Sequence, residues 1–390
     1  MKLDTMDFAD DRPLIVEKAD VRLFRLPPSV PWEDATHRVP AIEIVLLELT
    51  VNGRVARGFS YTVGIGGTAI RALIRDYCMA ELVGRDARFV VGAANSLFHH
   101  LLRTGMGAIT TLALAAIDVA LWEVRAQASG RPLFLELGGN ARSIPAYTSG
   151  IDLYMEPSEL ADVQRALKGD GYRWFKIKVG HPDIAVDIAR IAAAREAIGA
   201  DCRLVVDANQ AWDLGEAIAR CRAFEPYDIG WMEEPLNTAD VGDHATLRRK
   251  TGIPIALGES LYTVDDFRRF LSADAIDIVQ ADIARVGGFT PWLRIANLAA
   301  AWNRPVAPHY FVELSVHALC AVDNGLVLEN VRGGSLHDLG LSSRPVSIVG
   351  GDARPGLSPG HGVLFDLEKN AEREVPLTDY NFGNARTRKN

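Results

Sequence analysis

From residue 144 onward the chain repeats one unit, a short apolar run followed by a stretch compatible with helix. The runs are "IPAYTSG" (144–150), "FKIKVG" (175–180), "LVVDAN" (204–209), "IGWMEEP" (229–235), "IPIALGE" (253–259), "IDIVQAD" (276–282), "PVAPHYF" (305–311) and "LVLENV" (326–331). Near-continuous apolar strands alternating with helices imply a parallel sheet covered by helices. Eight such units imply a closed (β/α)8-type barrel. An open doubly wound sheet is the alternative, but no GxGxxG turn follows any of the runs.

The region before residue 144 has a different grammar. "LIVEKADVRLFRL" and "AIEIVLLELTVNGRVARGFS" alternate as strands, and Asn52-Gly53 is a hairpin signal. A helical pattern covers about 68–128, with Gly130 as a stop before Pro132. Strands followed by helices suggest an α+β unit over 1–140, ahead of a barrel over 141–344. The Gly/Pro-rich segment 345–390 is expected to fold back on the first unit. The apolar run 106–122 contains Asp118 and reads as a buried helix, not a membrane span. The acidic start "MKLDTMDFADDRP" lacks the apolar core of a signal peptide.

A net charge of −8 argues against nucleic acid or an anionic membrane as partner, but leaves a small anion open. Four scattered cysteines without a CxxC pair argue against a disulfide frame or zinc site, and for reduced thiols in a cytoplasm.

In a barrel, chemistry sits at the C-terminal ends of the strands. Those ends carry Lys176 and Lys178, Asp207 and Asn209, Glu233 and Glu234, Glu259, Asp282, His309 and Glu329. Buried charge is costly unless paired or metal-bound, so packing alone does not explain them. The two lysines lie two apart and share one strand face, opposite Phe175, Ile177 and Val179.

Asp207, Glu233 and Glu259 recur every 26 residues, at matching places in successive units. Three converging carboxylates with no sulfur or imidazole favour Mg2+. Either Glu233 or Glu234 could ligate, since neighbours face opposite ways; the interval favours Glu233 and leaves Glu234 a supporting role. Asp282 beside His309 forms a candidate acid/base dyad, the carboxylate fixing the tautomer. Glu329 is either salt-bridged to a lysine or a carboxyl kept protonated to donate to a substrate oxygen. Asn209 either holds a lysine or ligand or simply makes a turn.

Together these positions resemble the enolase superfamily, mandelate racemase subgroup. The resemblance covers nearly the whole chain. It rests on the ordered set of the KxK at 176–178, "VDANQAW" (206–212), "WMEEP" (231–235), "GES" (258–260), "QADIARVGG" (280–288), "PHYF" (308–311) and the "LEN" holding Glu329. It implies a modified (β/α)7β TIM-type barrel under an α+β capping domain formed by the N-terminal region and the C-terminal tail. It implies Asp207, Glu233 and Glu259 as Mg2+ ligands, Lys178 as base on one face of the substrate, and His309 with Asp282 as acid/base on the other. Lys176 matches the lysine beside the substrate carboxylate, and Glu329 the carboxylate hydrogen-bond partner. A homo-oligomer, dimer to octamer, follows from the same likeness. The muconate-cycloisomerase-like branch would place a lysine where Asp282 stands.

The chemistry implied is abstraction of the proton α to a carboxylate, through an enediolate stabilised by Mg2+. Lys178 must be neutral for this, so its reference pKa of about 10.4 has to fall by roughly two to three, worth about 3–4 kcal/mol. Burial, Lys176 and Mg2+ lower it, whereas the ligand carboxylates raise it. Protonation of a departing β-hydroxyl by His309 makes a dehydratase of acid sugars, aldonate or aldarate, the favoured outcome. Protonation of the intermediate's opposite face makes a racemase or epimerase, and a non-catalytic acid- or metal-binding barrel is the remaining alternative. The loops 27–38 and 60–67 supply Asp34, His37, Arg38, Tyr61 and Thr62 as candidate contacts for hydroxyls or a distal carboxylate. A mandelate-like aromatic substrate would instead call for a more apolar cover.

Overall fold

The tight turn at Asn52-Gly53, both residues at positive φ (49° and 70°), joins the two long strands that found the first layer. The computed structural model describes residues 12–30, 32–140 and 143–377, so the expectations placed on 1–11 and on 378–390 lie outside the described residues. Strands β1 (Val16–Leu26), β2 (Ile42–Val51) and β3 (Arg54–Thr62) form an antiparallel sheet in that order. The expected helical stretch is divided into Gly67–Leu73, a π-turn at Ile74–Cys78, Met79–Leu82, Val90–Leu101 and Ala108–Ser129.

Every residue from Thr110 to Val124 in the last of these helices is buried, because it lies between the sheet and the barrel. Among the described residues no helix is long and apolar enough to cross a membrane. The helix ends at Gly130, φ 66°, a left-handed stop that glycine adopts without strain. It rests directly on β3 at Gly58, where a Cβ would sit 2.2 Å from both the Ala116 carbonyl oxygen and the Ala120 nitrogen.

The barrel strands are β4 (Ile144–Ser149), β5 (Trp174–Lys178), β6 (Arg203–Asp207), β7 (Ile229–Glu233), β8 (Ile255–Leu257), β9 (Ile278–Val279) and β10 (Leu328–Val331). They pair in parallel in chain order, and β10 returns to pair with β4, Leu328 opposite Ala146. The seventh strand expected over 305–311 does not form. That segment contributes only single bridges, Val306 with Val279 and with Gly325. Pro305 and Pro308 flank the bridge and lack the N–H groups a ladder needs. The ring therefore narrows there to one residue, and His309 leaves it in a loop. Helices Pro157–Gly169, Ile184–Ile198, Leu214–Phe224, Val241–Lys250, Val264–Ser272, Phe289–Ala301 and Val312–Leu319 fill the connections.

Strand alternation decides what faces inward. Phe175, Ile177 and Val179 join the core under the surrounding helices. Tyr147, Val205, Trp231, Ala256, Ile278, Ala307 and Val327 make a separate apolar cluster inside the ring. Lys176 sits at the top of that inner cluster, its Nζ 5.6 Å from the Tyr147 ring centre.

The chain beyond 345 touches both units. A hairpin, β11 (Ser347–Val349) and β12 (Asp352–Arg354), pairs with the start of β4 through Ala353 and Ile144. The tail then crosses to the first layer, where the His361 N–H donates to Glu123 (2.6 Å) and the Val375 N–H to the Leu23 carbonyl (2.7 Å). His317 on a barrel helix accepts from the Phe134 N–H at Nδ1 and donates from Nε2 to the His361 carbonyl, tying cap, barrel and tail together.

The backbone contact at Gly58 is the tightest joint between sheet and helix. Gly58→Val is expected to cost about 3 kcal/mol or more, the upper range for overpacking, in urea unfolding of the full chain. A cost below about 1 kcal/mol would show that the helix does not lie on the strand as described.

Candidate active site

Parallel strands that end together deliver their last inward side chains to one rim. Asp207 and Glu233 are opposite one another in the β6–β7 register, and Glu259 follows two residues after β8. Each offers an oxygen within 4.8 Å of the others. Asp207 and Glu233 are closed off, and Glu259 keeps 12 % of its side chain open to the cavity. Burial, with Asp207 alongside, pushes Glu233 up to about 8. Burial acts the same way on Asp207, but Lys178 and Lys176 outweigh it and hold that carboxyl below its usual range. An all-oxygen set under this much mutual repulsion fits a hard divalent cation.

Both lysines point into the floor of this site. Lys176, 1 % exposed, places Nζ 2.6 Å from Glu233, 2.7 Å from Glu329 and 3.4 Å from Asp207. Burial pulls its pKa down, yet Glu233 and Glu329 carry it well above the ordinary value, so it stays charged. Lys178 donates to Asp207 at 2.5 Å. Burial lowers it, but Asp207 prevails and its pKa lies above the ordinary value. The lowering a base requires therefore has to come from positive charge set against Asp207.

Glu329 accepts from Lys176 and from the Tyr310 N–H at 2.8 Å. Burial favours its neutral form, but Lys176 brings the carboxyl down to about 2. The expectation of a protonated donor is thus corrected: the buried ammonium beside it keeps Glu329 ionised, the salt-bridged alternative.

His309 puts Nδ1 2.7 Å from Asp282 and Nε2 3.2 Å from Glu259. Nδ1–H donates to Asp282, which leaves Nε2 turned toward the carboxylate cluster. Burial opposes the imidazolium, and Glu259 and Asp282 together more than offset that, raising its pKa. Asp282 is itself held by the N–H groups of Ala284 (2.8 Å) and Arg285 (3.0 Å) and by the Tyr61 hydroxyl (2.6 Å). In ring order Lys178 on β5 and His309 after β9 lie across the barrel, with the carboxylates of β6–β8 between them.

Several supporting groups escaped the sequence. Arg285 donates from Nε to the Tyr61 oxygen (3.0 Å) and from Nη1 to the Glu259 carbonyl (2.9 Å), linking the dyad to the carboxylate cluster. Gln280 (2.7 Å) and Trp231 (3.2 Å) donate to Glu233. The available signal was position alone: Gln280 stands two residues before Asp282, and Arg285 three after it.

Glu234, at φ 34°, turns away from the three carboxylates and accepts from Gln210 Nε2 (2.8 Å), the Ser260 hydroxyl (2.9 Å) and the Ser260 N–H (3.1 Å). Burial, then Glu259, lifts its pKa to about 7. Asn209, at φ 44°, makes the turn after β6, donating its N–H to Asp207 and accepting from Thr36. Its Oδ1 is buried without a partner among the described residues, on the cavity wall.

Of the polar cover expected from the two loops, Asp34, His37, Tyr61 and Thr62 line the cavity and Arg38 does not, and most of these polar groups already have protein partners. Asp34 is spent capping the N–H groups of Thr36 and His37. The Thr62 hydroxyl donates to Glu43, and Tyr61 serves Asp282. On a small ribbon, Trp32–Glu33 with Arg38–Val39, Arg38 is exposed and off the cavity wall, while His37 lines its rim. Short-range hydrogen bonding of this kind is what loop Asp and Thr side chains do most readily. The cap side of the cavity, about 520 Å³, also carries the apolar Trp32, Val39, Val63, Ile65, Ile109 and Leu112.

Comparison with known proteins identifies the family. The family model for the mandelate racemase / muconate lactonizing enzyme N-terminal domain matches residues 18–138, and that for the enolase C-terminal domain-like unit matches 159–369. A 3,6-anhydro-alpha-L-galactonate cycloisomerase of Streptomyces coelicolor is 32 % identical, over 91 % of this chain and 98 % of that protein. An L-talarate/galactarate dehydratase of Salmonella typhimurium is also 32 % identical, over 93 % and 92 %. The crystal structure of an L-talarate dehydratase from a Polaromonas species, complexed with Mg and L-glucarate, superposes with a TM-score of 0.87 at 31 % identity, covering 93 % of this chain and 98 % of that one.

Mg2+ at a hundredfold excess over its Kd is expected to raise stability by about 2.7 kcal/mol, read as a shift in Tm that EDTA reverses. Glu259→Gln should weaken Mg2+ binding at least about tenfold by calorimetry, roughly 1.4 kcal/mol. No gain from Mg2+, or unchanged affinity in the variant, would contradict the cation assignment.

Proposed function

The chain belongs to the mandelate racemase / muconate lactonizing enzyme family of the enolase superfamily, and from that membership we propose that it dehydrates an acid sugar to a 2-keto-3-deoxy acid with Mg2+. One observation carries the reading: a lysine and a carboxylate-held histidine face each other across a floor of ligand carboxylates. Acid and base on opposite faces serve proton removal and delivery, whereas a barrel that only binds needs neither.

Asp207, Glu233 and Glu259 would hold the Mg2+, which supplies positive charge for the substrate carboxylate and against the field that keeps Lys178 protonated. Lys176, fixed between Glu233 and Glu329, stays an ammonium and stabilises the carboxylate as it gains charge. Lys178, once neutral, takes the proton from the carbon next to that carboxylate, and the electron pair moves into the carboxylate as an enediolate. As the pair returns, the C3–O bond breaks and His309 gives its Nε2 proton to the departing hydroxyl, releasing water. The enol that remains tautomerises, C3 gaining a proton as the C2 hydroxyl loses one, and becomes the 2-keto acid. Asp282, Tyr61 and Arg285 hold the imidazole in the tautomer and orientation this transfer requires. Glu234 and Asn209 shape the turns from which the cation ligands project.

The apolar part of the cap wall is the observation that keeps a second reading in view. In a racemase, His309 would deliver its proton to the opposite face of the same intermediate, with no bond to C3 broken. We further propose a cytoplasmic homo-oligomer that acts on small carboxylates, not nucleic acid or membrane. All four cysteines are buried and form no disulfide among the described residues, as a reducing compartment allows.

A screen of mono- and diacid sugars with Mg2+ tests the reading, with 2-keto acid formation as the expected signal. Inversion at the α-carbon with solvent deuterium uptake, and no keto acid, would replace the dehydratase by the racemase.

A further inference from the structure

A second cavity, about 340 Å³, opens at the seam between cap and barrel, a volume within the range of small-molecule pockets. Cap helices Val90–Leu101 and Ala108–Ser129 form one side. The turn at 262–265 and the start of helix Phe289–Ala301 form the other. Among the described residues Tyr262 alone lines both this cavity and the active site, so the two are separate spaces behind a common wall.

Leu97, Leu114, Ile117, Leu121, Val286 and Pro291 give the seam its apolar surface. The hydroxyls beside them are engaged within the protein. Thr111 donates to the Gly107 carbonyl (2.8 Å), Thr263 donates to Asp266 (2.7 Å), and the Thr290 oxygen accepts from Trp122 Nε1 (3.0 Å). At the rim, next to exposed His99, Arg294 donates to Asn95 (3.0 Å) and Asp265 accepts from Arg268 (3.0 Å).

Asp118 is the exception. It lines the cavity at 2 % exposure, and the barrel closes tightly on it at Gly288 (φ 106°), where a Cβ would sit 2.4 Å from Oδ2. Oδ2 accepts the Thr290 N–H (3.0 Å), whereas Oδ1 is buried without a hydrogen-bond partner among the described residues. Burial lifts the carboxyl to about 7, while hydrogen bonds from Thr290 and Phe289 and the charge of Arg294 favour its ionised form. A buried acceptor left without a donor bears its desolvation cost uncompensated.

We propose that the seam is a second ligand site, for a small molecule with an ammonium head on an apolar body. The head donates to Asp118 Oδ1, and the body lies against the leucines and Ile117. An ammonium supplies both the missing donor and the counter-charge. A carboxylate head would bring like charges together out of water, and a ligand with no donor would leave Oδ1 unmet. The site shares no residue with the cation ligands, so it stands apart from the dehydratase reading.

The test is a ligand-observed NMR titration of the full-length chain with Mg2+, comparing benzylamine, benzyl alcohol and benzoate, which share a ring and differ in the head. Benzylamine should bind at least about tenfold tighter than the alcohol, and benzoate at least about tenfold weaker than it. Asp118→Asn, which keeps an oxygen for the Thr290 N–H, should bring the amine down to the level of the alcohol. Ala94→Phe, at a half-buried position in the cap-side lining, leaves Asp118 in place and keeps the test open if the first variant fails to fold. It should weaken benzylamine at least about tenfold and leave Mg2+ affinity unchanged. Benzylamine bound no tighter than the alcohol, benzoate bound as tightly as either, an amine preference that survives Asp118→Asn, or full benzylamine affinity in Ala94→Phe would each overturn the inference. So would the absence of benzylamine binding, the result expected if a neighbouring copy of the chain fills the seam.

Discussion

Two buried ammonium groups facing four carboxylates set the terms for the rest of this structure. Lys176 and Lys178 answer Asp207, Glu233 and Glu329 directly, and Glu259 stands beside them facing His309. With all four carboxylates ionised, the lysines neutralise half of that charge, and the remainder is the complement of one divalent cation. Removing any one partner would leave an uncompensated charge out of water, which is costly. The two lysines, alike in sequence, are thereby given different work. Lys176 is locked by Glu233 and Glu329 as a permanent cation, whereas Lys178 has Asp207 as its nearest counter-charge, a group that cation binding would engage.

The scaffold holds this arrangement rigid from outside the ring. The Lys178 N–H donates to Asp152 (3.1 Å), which is paired with buried Arg190 (3.0 Å). Two residues on, the Gly180 and His181 N–H groups donate to Asp187, itself paired with Arg220 at 2.6 Å. The strand end that carries Lys178 is thus clamped by two ion pairs, Asp152 of the loop after β4 with Arg190, and Asp187 with Arg220 between two flanking helices. On the other side, Tyr61 reaches from the cap sheet to Asp282, so the cap supplies one of the hydrogen bonds that hold the acid/base dyad. The close seat of the long helix on Gly58 and the tail's return to Leu23 and Glu123 fix that packing.

Much of this was legible because it is local. Strand alternation put Lys176 and Lys178 on one face, and the 26-residue interval put Asp207, Glu233 and Glu259 at equivalent strand ends. What was not legible depends on partners far away in the chain. Tyr61 and Asp282 are 221 residues apart, and Gln280 and Glu233 are 47 apart. The charge state of Glu329 is decided by Lys176, which no pattern around "LEN" announces. The loop residues Asp34 and Thr62 line the cavity, but each has a protein hydrogen-bond partner, and apolar side chains such as Val39 and Val63 share the wall with them. The missing seventh strand shows the same limit at the backbone level. Its apolar pattern was right for a strand, and two prolines removed the donors.

The central claim is that Lys178 and His309 act on opposite faces of one substrate above a cation-dependent carboxylate cluster. Exchange of the α-proton in D2O, followed by NMR for both C2 epimers of the true substrate acid, tests it most directly. Lys178→Ala should abolish exchange for one epimer and retain it for the other, His309→Asn should show the reverse, and EDTA should silence both. Exchange of both epimers by either variant, or exchange that survives removal of the divalent cation, would contradict the account.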